Sequence, residues 1–519
     1  MPFITQGKAN LKYILIVVIL AAIVGGGILA YQYWWAPKKE TTPPEVKVPE
    51  NGVPEEVTTS EINLKTTKLA TIPNNYELAK LLTGERIYLP GQKAEEEKTL
   101  ADELEEERAN NFFIVFSPDG RKVAYMAKEG GKWFVVVNNK TGKDYDSVGD
   151  LTSTPIFSPD SKMVAYTVRE GEKNFVVINE EEGKAYGWIF DIIFSPDSKK
   201  LAYAATGPKE KEAFLVVGEK EGKNYDLVFS PVFSSDSQNL AYVAAESPQI
   251  AGDIMYYEKN FVVVNDKEGK NYEVIPMNFP TSLVFSPDGK KIAYEVQQNH
   301  EGFIVLNGIE DGTYKEYGPY DWVMWDPPLV FSPDSKHFAF TGKNKEGNKR
   351  AFVVIDGKEN KAYNQVGVPV FSPDNTKLAY AAYIYIPNAS KWFMVINEKE
   401  GKAYEDIIGG PVFSPDSKQL GYIALENKKY FVVISDSGGE NYKESERYDL
   451  TSLPVFSPNS KNFAYIVRKE GKWQVVVNGK ESGKSYDRIW DPVFSSDSKY
   501  VAYGARNGNE LWWIVERVE

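Results

Sequence analysis

The chain has 519 residues, of which 42% are hydrophobic and 26% are charged, a composition typical of globular proteins rather than disordered ones. Its net charge of −13 argues against nucleic-acid binding, because phosphate neutralisation needs clustered Lys and Arg. The absence of cysteine excludes disulfides and thiolate chemistry, and only two histidines, His300 and His337, are present. Abundant aromatic residues, with 40 Gly and 30 Pro, favour short strands and turns over helices.

The N-terminus predicts a membrane anchor. After a short tail (1–12), residues 13–35 carry no charged side chain, and a helix of that length spans a bilayer core of about 30 Å. Tyr and Trp residues at its end suit the membrane interface. The apolar run is longer than that of a cleaved signal peptide, so an uncleaved signal anchor is expected. The flanking charges bias the orientation weakly, towards a cytoplasmic N-terminus and a single-pass protein with its bulk outside the cytoplasm.

A linker follows the anchor. Residues 36–82 are rich in Pro and Glu, a composition typical of an extended stalk. Residues 83–110 begin with TGERIYLP and continue into a strongly charged stretch. We expect residues 83–90 to form a strand and the remainder a polar helix or loop.

Residues 111–519 contain ten copies of one unit, whose first and last copies lie 378 residues apart, a mean period of 42 residues. Nine residues after the first residue of each F-S-P-D-like phrase stands a Tyr, or Phe340 in the sixth copy. The copies begin at Phe116, Phe157, Phe194, Phe233, Phe285, Phe331, Phe371, Phe413, Phe456 and Phe494.

Each copy predicts four short antiparallel strands, which is the unit of a β-propeller blade. An apolar strand leads into the S-P-D turn, K-x-x-A-Y forms the second strand, F-V-V-V-N the third, and G-K-x-Y leads to the outer one. The fold class is therefore all-β, a propeller of ten four-stranded blades preceded by one transmembrane α-helix. An uninterrupted repeat favours a single ring, and two five-bladed rings are the alternative.

The repeated F-S-P-D-x-K-x-x-A-Y phrase resembles the repeats of TolB-like, WD-repeat-related β-propellers over about residues 111–519. The resemblance implies the repeat type but not one function, because propellers of this kind include both binding proteins and parts of enzymes. The tenth copy has no outer strand of its own, and we expect residues 83–90 to supply it and close the ring.

Three insertions predict a partner-binding surface. Segments 246–260, 314–328 and 383–391 interrupt the repeat in blades four to seven, and strand direction places all three on one face of the ring. Exposed Tyr and Trp are enriched at contact hot spots, so a protein, peptide or glycan partner is expected there. The alternative is that these rings fold inward and cap the loops. The candidate residues are Tyr256, Tyr257, Tyr317, Tyr320, Trp322, Trp325, Tyr383 and Tyr385.

The other repeated polar residues have structural explanations. The Asp of each S-P-D turn lacks the dense acidic spacing of a calcium loop and is expected to stabilise the turn, while the Lys of K-x-x-A-Y marks a solvated strand end. No catalytic or nucleotide-binding motif is present, so neither catalytic residues, cofactor nor metal is predicted.

The function expected from the sequence is a membrane-anchored, extracytoplasmic interaction scaffold without catalysis. One alternative is a carbohydrate-active enzyme of the glycosidase or lyase type, for which Asp253, Asp321 and Asp326 are the acids that break the repeat. The other alternative is a purely structural envelope protein.

Overall fold

The computed structural model describes the repeat region and two segments before it. The described residues are 64–72, 77–78, 114–149, 154–207, 212–251, 254–275, 283–299, 301–309, 314–320, 329–343, 350–386 and 391–518. They contain no helix that is both long and apolar enough to cross a membrane. The predicted anchor at 13–35 lies outside these residues.

The structure consists of ten antiparallel sheets, one for each copy of the repeat. Blade one contains β2 (Glu77–Leu78), β3 (Ile114–Phe116), β4 (Val123–Glu129), β5 (Lys132–Val137) and β6 (Lys140–Thr141). Blade two contains β7 (Ser147–Val148), β8 (Ile156–Phe157), β9 (Val164–Glu170), β10 (Lys173–Ile178) and β11 (Glu181–Glu182). Blade three contains β12 (Ile189–Phe194), β13 (Leu201–Thr206), β14 (Ala213–Val217) and β15 (Lys220–Glu221). Blade four contains β16 (Leu227–Phe233), β17 (Leu240–Ala251), β18 (Ile254–Val264) and β19 (Lys267–Glu268). Blade five contains β20 (Val284–Phe285), β21 (Lys291–Gln298), β22 (Glu301–Gly308) and β23 (Tyr314–Tyr320).

The second half of the ring repeats the same order. Blade six contains β24 (Val330–Phe331), β25 (Phe338–Lys343), β26 (Ala351–Ile355) and β27 (Lys358–Glu359). Blade seven contains β28 (Gln365–Val366), β29 (Val370–Phe371), β30 (Leu378–Ile384), β31 (Lys391–Ile396) and β32 (Lys399–Tyr404). Blade eight contains β33 (Asp406–Phe413), β34 (Gln419–Glu426), β35 (Lys429–Asp436) and β36 (Tyr442–Glu444). Blade nine contains β37 (Leu450–Thr451), β38 (Val455–Phe456), β39 (Phe463–Lys469), β40 (Lys472–Val477) and β41 (Lys480–Glu481). Blade ten contains β42 (Arg488–Ile489), β43 (Val493–Phe494), β44 (Tyr500–Asn507) and β45 (Glu510–Arg517), with β1 (Leu64–Thr71) as its outer strand.

The ten blades form a single ring, because a hydrophobic cluster fills each junction between consecutive blades. Each cluster combines the Tyr or Phe of one K-x-x-A-Y strand with small and branched residues of the blade before it, as Tyr166 does with Ala124 and Met126. The last of the ten clusters joins blade ten to blade one through Leu511 and Tyr125. The alternative of two five-bladed rings is wrong, since blade five packs on blade six through Ala293 and Phe340.

The ring closes through a strand that precedes the repeat, as expected, but not through the predicted segment. Strand β1 pairs antiparallel with β45 from Leu64↔Glu516 to Thr71↔Glu510, within the region predicted to be stalk. Its apolar residues Leu69, Ala70 and Ile72 are buried in the cluster between blades ten and one. This apolar face explains why the segment joins the ring. The predicted closing strand at 83–90 lies outside the described residues.

Candidate functional site

The strand directions give the ring two faces. The hairpins between the second and third strands and the connections between blades lie on one face, which we call the hairpin face. The S-P-D turns and the turns from third to outer strand lie on the other, which we call the turn face.

The turn face is occupied by a regular hydrogen-bonded belt. In the first turn, Ser117 Oγ donates to Asp119 Oδ1 at 2.7 Å, and the Arg121 N–H donates to the same oxygen at 3.0 Å. The Asp119 N–H then donates to Ser161 Oγ of the next blade at 3.0 Å. Equivalent bonds from Asp or Asn to Ser or Asn join eight of the ten junctions. These Asp residues therefore act as turn formers and blade connectors.

The outer rim carries a second repeated contact. At the first junction, the Lys and Tyr of G-K-x-Y reach one Glu on the outer strand of the following blade: Lys143 Nζ and Tyr145 Oη both lie 2.8 Å from Glu182 Oε1. Lys143 lowers the pKa of Glu182, and burial raises the pKa of Tyr145. The same Lys–Glu–Tyr contact recurs at Glu268, Glu316, Glu400 and Glu444. These side chains connect neighbouring blades, and their hydrogen-bonding groups are engaged with one another.

The hairpin face is asymmetric. Blades one, two, five, eight, nine and ten join their second and third strands by turns of two residues, as between Glu129 and Lys132. Blades three, six and seven have longer connections at 207–212, 344–350 and 385–390. In blade four the hairpin itself is extended, with strands of 12 and 11 residues in β17 and β18. We call the hairpin face of blades three to seven the variable sector.

Exposed apolar side chains concentrate in the variable sector. Seven large hydrophobic residues are exposed among those the structure describes, and five of them lie towards the hairpin face in blades three, five and seven. Tyr385 and Ile386 follow β30 and are 61% and 51% exposed. Trp188 directly precedes the inner strand β12 of blade three and Phe190 lies on it, with their rings 6.3 Å apart and nearly parallel at 12°. The five residues are Trp188, Phe190, Val274, Tyr385 and Ile386.

Two of the eight predicted contact residues pack into the ring. Tyr320 is buried edge-to-face against Phe340 and Phe352, with centroid distances of 5.7 and 6.0 Å. Tyr317 is half-buried against Phe338 and Phe340. Residues 314–320 form the outer strand β23 rather than an insertion, because Tyr320 occupies the position of the G-K-x-Y tyrosine. For this pair, the structure therefore matches the inward-folding alternative.

The other predicted residues lie nearer the strand ends. Tyr257 is half-buried in β18, opposite Pro248. Tyr383 is half-buried with its ring 5.2 Å from Trp392, and Tyr385 is exposed beyond the end of the same strand. Tyr256 lies in β18, and Trp322 and Trp325 lie outside the described residues.

Sequence reasoning missed Trp188, Phe190 and Ile386. A usable signal was the position two residues after the G-K-x-Y tyrosine, where the inner strand starts and where Trp188 replaces smaller residues such as Ser147 and Leu227. Alternation along the strand then places Phe190 on the same side as Trp188. Neither residue lies in an insertion, so the insertions did not indicate them.

The titratable groups of the described residues offer no metal site. No group of three His, Asp or Glu with metal-binding spacing occurs among them. His337 Nδ1 lies 2.7 Å from Asp356 Oδ2, and its ring stacks on Phe371 of the next blade. His300 and the three acids considered for a glycosidase, Asp253, Asp321 and Asp326, lie outside the described residues.

Comparisons with known proteins find similarity in architecture. No family model matches the chain, and no curated protein matches it. A crystal structure of the eukaryotic initiation factor is 14% identical, with 68% of this chain and 93% of that chain covered and a TM-score of 0.43. TolB from Acinetobacter baumannii is 13% identical, covering 88% and 97%, with a TM-score of 0.26. The propeller domain of the Trilobed protease from Pyrococcus furiosus is 15% identical, covering 56% and 93%, with a TM-score of 0.30. At these identities the likeness concerns the propeller fold alone.

Proposed function

We propose that this protein is a membrane-anchored, extracytoplasmic interaction scaffold of the TolB-like type, whose variable sector binds a protein, peptide or glycan partner. The ring supplies rigidity, and the sector supplies the contacts. The proposal assigns the ring no chemical step.

The asymmetry of the hairpin face is the observation that carries this proposal. Six blades keep short hairpins with two-residue turns, so the fold itself needs nothing longer. Enlarged connections occur in blades three, four, six and seven, and the exposed Trp, Phe, Tyr and Ile side chains lie in blades three and seven of the same sector. Exposed apolar side chains cost solubility, and their concentration on one surface is characteristic of an interaction site.

A crosslinking experiment tests the binding surface. A photoreactive phenylalanine analogue replaces Tyr385 in the variable sector or, as a matched control, Tyr500 on the turn face, which is 39% exposed. We expect irradiation of cells to give a discrete adduct from position 385 and none from position 500. The same adduct should be lost when Trp188 and Phe190 are changed to Ser in the 385 background. Equal adducts from both positions, or none from 385, would contradict a sector-specific partner.

The membrane topology is tested separately. The support for it is the uncharged run at 13–35 and the weak charge bias around it. We expect external protease to digest a C-terminally tagged ring in intact cells from which any outer barrier has been removed. Protection of the tag until the anchoring membrane is lysed would place the ring in the cytoplasm.

A further inference from the structure

A cavity lies on the turn face between blades six and seven, on the opposite side of the ring from the variable sector. Ile355 ends the third strand of blade six and Leu378 begins the second strand of blade seven, which places the cavity at the turn-face end of this junction. Its volume is about 200 Å³, and it is lined by Ile355, Asn360, Leu378, Tyr380, Asn397 and Glu398. Cavities of about 150 Å³ hold a molecule as large as benzene, so this one has room for a small organic ligand.

One wall of the cavity departs from the repeat. Five other blades have Gly before the Lys of G-K-x-Y, and blade six has Asn360 there. Between blades one and two, a Cβ on the equivalent Gly142 would lie 3.5 Å from Tyr166 Oη, so the repeat brings this hydroxyl close to the glycine. Tyr380 is the equivalent of Tyr166, and Asn360 therefore adds a polar amide beside it.

The hydroxyl of Tyr380 is buried without a hydrogen-bond partner. The residue is 1% exposed, and its Oη forms no hydrogen bond with any described residue. Burial raises the pKa of Tyr380 to about 12, and the nearby Glu398 carboxylate adds to this rise. The Asn360 amide and the Tyr363 hydroxyl act in the opposite sense, but neither is aligned for a hydrogen bond with Tyr380 Oη. An unpaired buried hydroxyl is unfavourable, so a ligand group that pairs with it would be bound.

The mouth of the cavity carries a carboxylate without a cation. Glu398 is exposed and forms no ion pair with the described residues. At the equivalent position between blades one and two, Glu180 Oε1 binds the ammonium group of Lys140 at 2.7 Å. Lys358 has the position of Lys140 in the repeat but does not form this contact with Glu398. The repeat thus shows which group this carboxylate accepts, a primary ammonium.

We propose that this cavity binds a small primary amine that carries a second polar group, such as an amino alcohol or a short diamine. The ammonium group of the ligand binds Glu398, as the ammonium group of Lys140 binds Glu180. Its short aliphatic body packs on Ile355 and Leu378, which supply the apolar walls.

The second polar group of the ligand meets the buried end of the cavity. It forms hydrogen bonds with the Tyr380 hydroxyl and the Asn360 amide. Asn397 does not take part, because its side chain accepts from the Leu378 N–H at 2.9 Å and donates to Thr376 O at 3.2 Å. The site joins blades six and seven and lies on the face opposite the variable sector, so it is independent of the proposed partner surface.

Saturation-transfer NMR of the full chain in detergent, with aminobutanol as the probe, tests the site. We expect a dissociation constant in the millimolar range, because so small a ligand makes few contacts. Butylamine and butanediol each lack one of the two polar groups, and their saturation-transfer signals should be about fivefold weaker. Glu398→Gln should remove most of the aminobutanol signal, whereas the matched variant Glu180→Gln should keep it. The absence of a signal at about 10 mM aminobutanol, or equal signals from the two variants, would overturn the site.

Tyr380→Phe separates a binding role of the hydroxyl from a structural one. Because this hydroxyl has no partner in the ring, its removal should leave the midpoint of denaturant unfolding unchanged or raise it. The same change should weaken the aminobutanol signal about fivefold, as should Asn360→Gly, which restores the repeat. A clear loss of stability in Tyr380→Phe would show that the hydroxyl is bonded within the ring. A signal equal to that of the wild type would show that the ligand does not use it, and either result would refute the proposal.

Discussion

At the junction between blades ten and one, we expect Ser, the residue most common at this turn position of the repeat, to destabilise the ring if it replaces Gly120. At eight junctions, the residue that accepts the hydrogen bond from the turn Asp or Asn of the preceding blade is Ser or Asn, with a φ of 60–63°. Gly289 and Gly120 occupy this position at the other two junctions. We therefore compare Gly120→Ser with Gly289→Ser. Both substitutions restore the repeat consensus, so sequence alone predicts that they behave alike.

The space around the two glycines differs. A Cβ built on Gly120 would lie 1.9 Å from Cε2 of Trp513. Trp513 pairs with Thr67 and Gly504 in the β-ladder, and its ring packs on Phe116. A Cβ on Gly289 meets nothing closer than 3.3 Å, and its nearest atoms belong to the Asp236 carboxylate. Gly120 therefore has no room for a side chain, whereas at Gly289 a small shift of the Asp236 carboxylate makes room for one.

The expected energies follow from this difference. Forcing the Trp513 ring aside in a packed junction should cost about 1–3 kcal/mol in the free energy of unfolding. Gly289→Ser adds left-handed strain of about 1 kcal/mol, which a new hydrogen bond from the Asp236 N–H offsets by a similar amount. Guanidinium unfolding of the purified protein should place Gly120→Ser well below wild type and Gly289→Ser within about 1 kcal/mol of it.

A double substitution isolates the cause. Trp513→Ala empties the space, so adding Gly120→Ser to it should cost less than adding Gly120→Ser to wild type, a coupling of about 1 kcal/mol or more. Equal stability of the two glycine variants, or strict additivity with Trp513→Ala, would refute the reasoning.

Three further predictions concern single side chains. Glu516 is buried, accepts a 2.7 Å hydrogen bond from Tyr503 Oη and has a pKa raised by burial, so Glu516→Gln should stabilise the ring by up to about 1 kcal/mol at pH 7. The stability gained by Glu516→Gln should be smaller in unfolding measured near pH 5, because a larger fraction of the buried Glu516 is then protonated and the cost of burying its charge falls. A gain that does not change between pH 7 and pH 5 would contradict this reasoning. The hydrogen bond from Ser332 lowers the pKa of Asp334 to about 2, so its contribution is present above the unfolded value near 3.8 and is lost as pH falls towards 2. Asp334→Asn, which copies Asn459 of blade nine, should weaken the acid dependence of unfolding between those pH values, and an identical acid profile would argue against the assignment. Finally, Tyr320→Ala should cost about 3–5 kcal/mol and Tyr385→Ala less than about 0.5 kcal/mol in thermal or denaturant unfolding, and the reverse order would show that their burial is misassigned.

The blades could be predicted from the sequence, but the strand that closes the ring could not. Turn residues, alternating patterns and a period near 42 residues define four strands per copy, since each copy must bury the same apolar faces. Closure depends instead on which N-terminal segment complements the exposed edge of β45. Leu69, Ala70 and Ile72 supply an apolar face, but they lie in a region whose overall Pro and Glu content predicts a stalk.

The insertions predicted a surface on the hairpin face of blades four to seven, but they did not indicate the exposed residues of blade three. Strand direction is enough to place an insertion on one side of a propeller. Whether a ring folds inward depends on its register: Tyr320 repeats the buried G-K-x-Y position, whereas Tyr385 lies past the end of a strand. Trp188 and Phe190 lie at the start of an inner strand, a position marked by the repeated Tyr186 and not by any insertion.

Departures from the repeat occur in two settings with different physical causes. At the closing junction, Gly120 departs from the consensus because Trp513 fills its side-chain space, and Gly504 departs because Phe116 lies 2.5 Å from where its Cβ would be. At this junction, aromatic rings from the neighbouring blade fill the space that a side chain would take, so packing accounts for both glycines. In the variable sector, Trp188, Phe190, Tyr385 and Ile386 add apolar surface that remains exposed within the described ring. Folding gains little from such surface, whereas a partner that covers it would gain hydrophobic contact area. The first kind of departure closes the ring, and the second is the kind that an interaction surface requires.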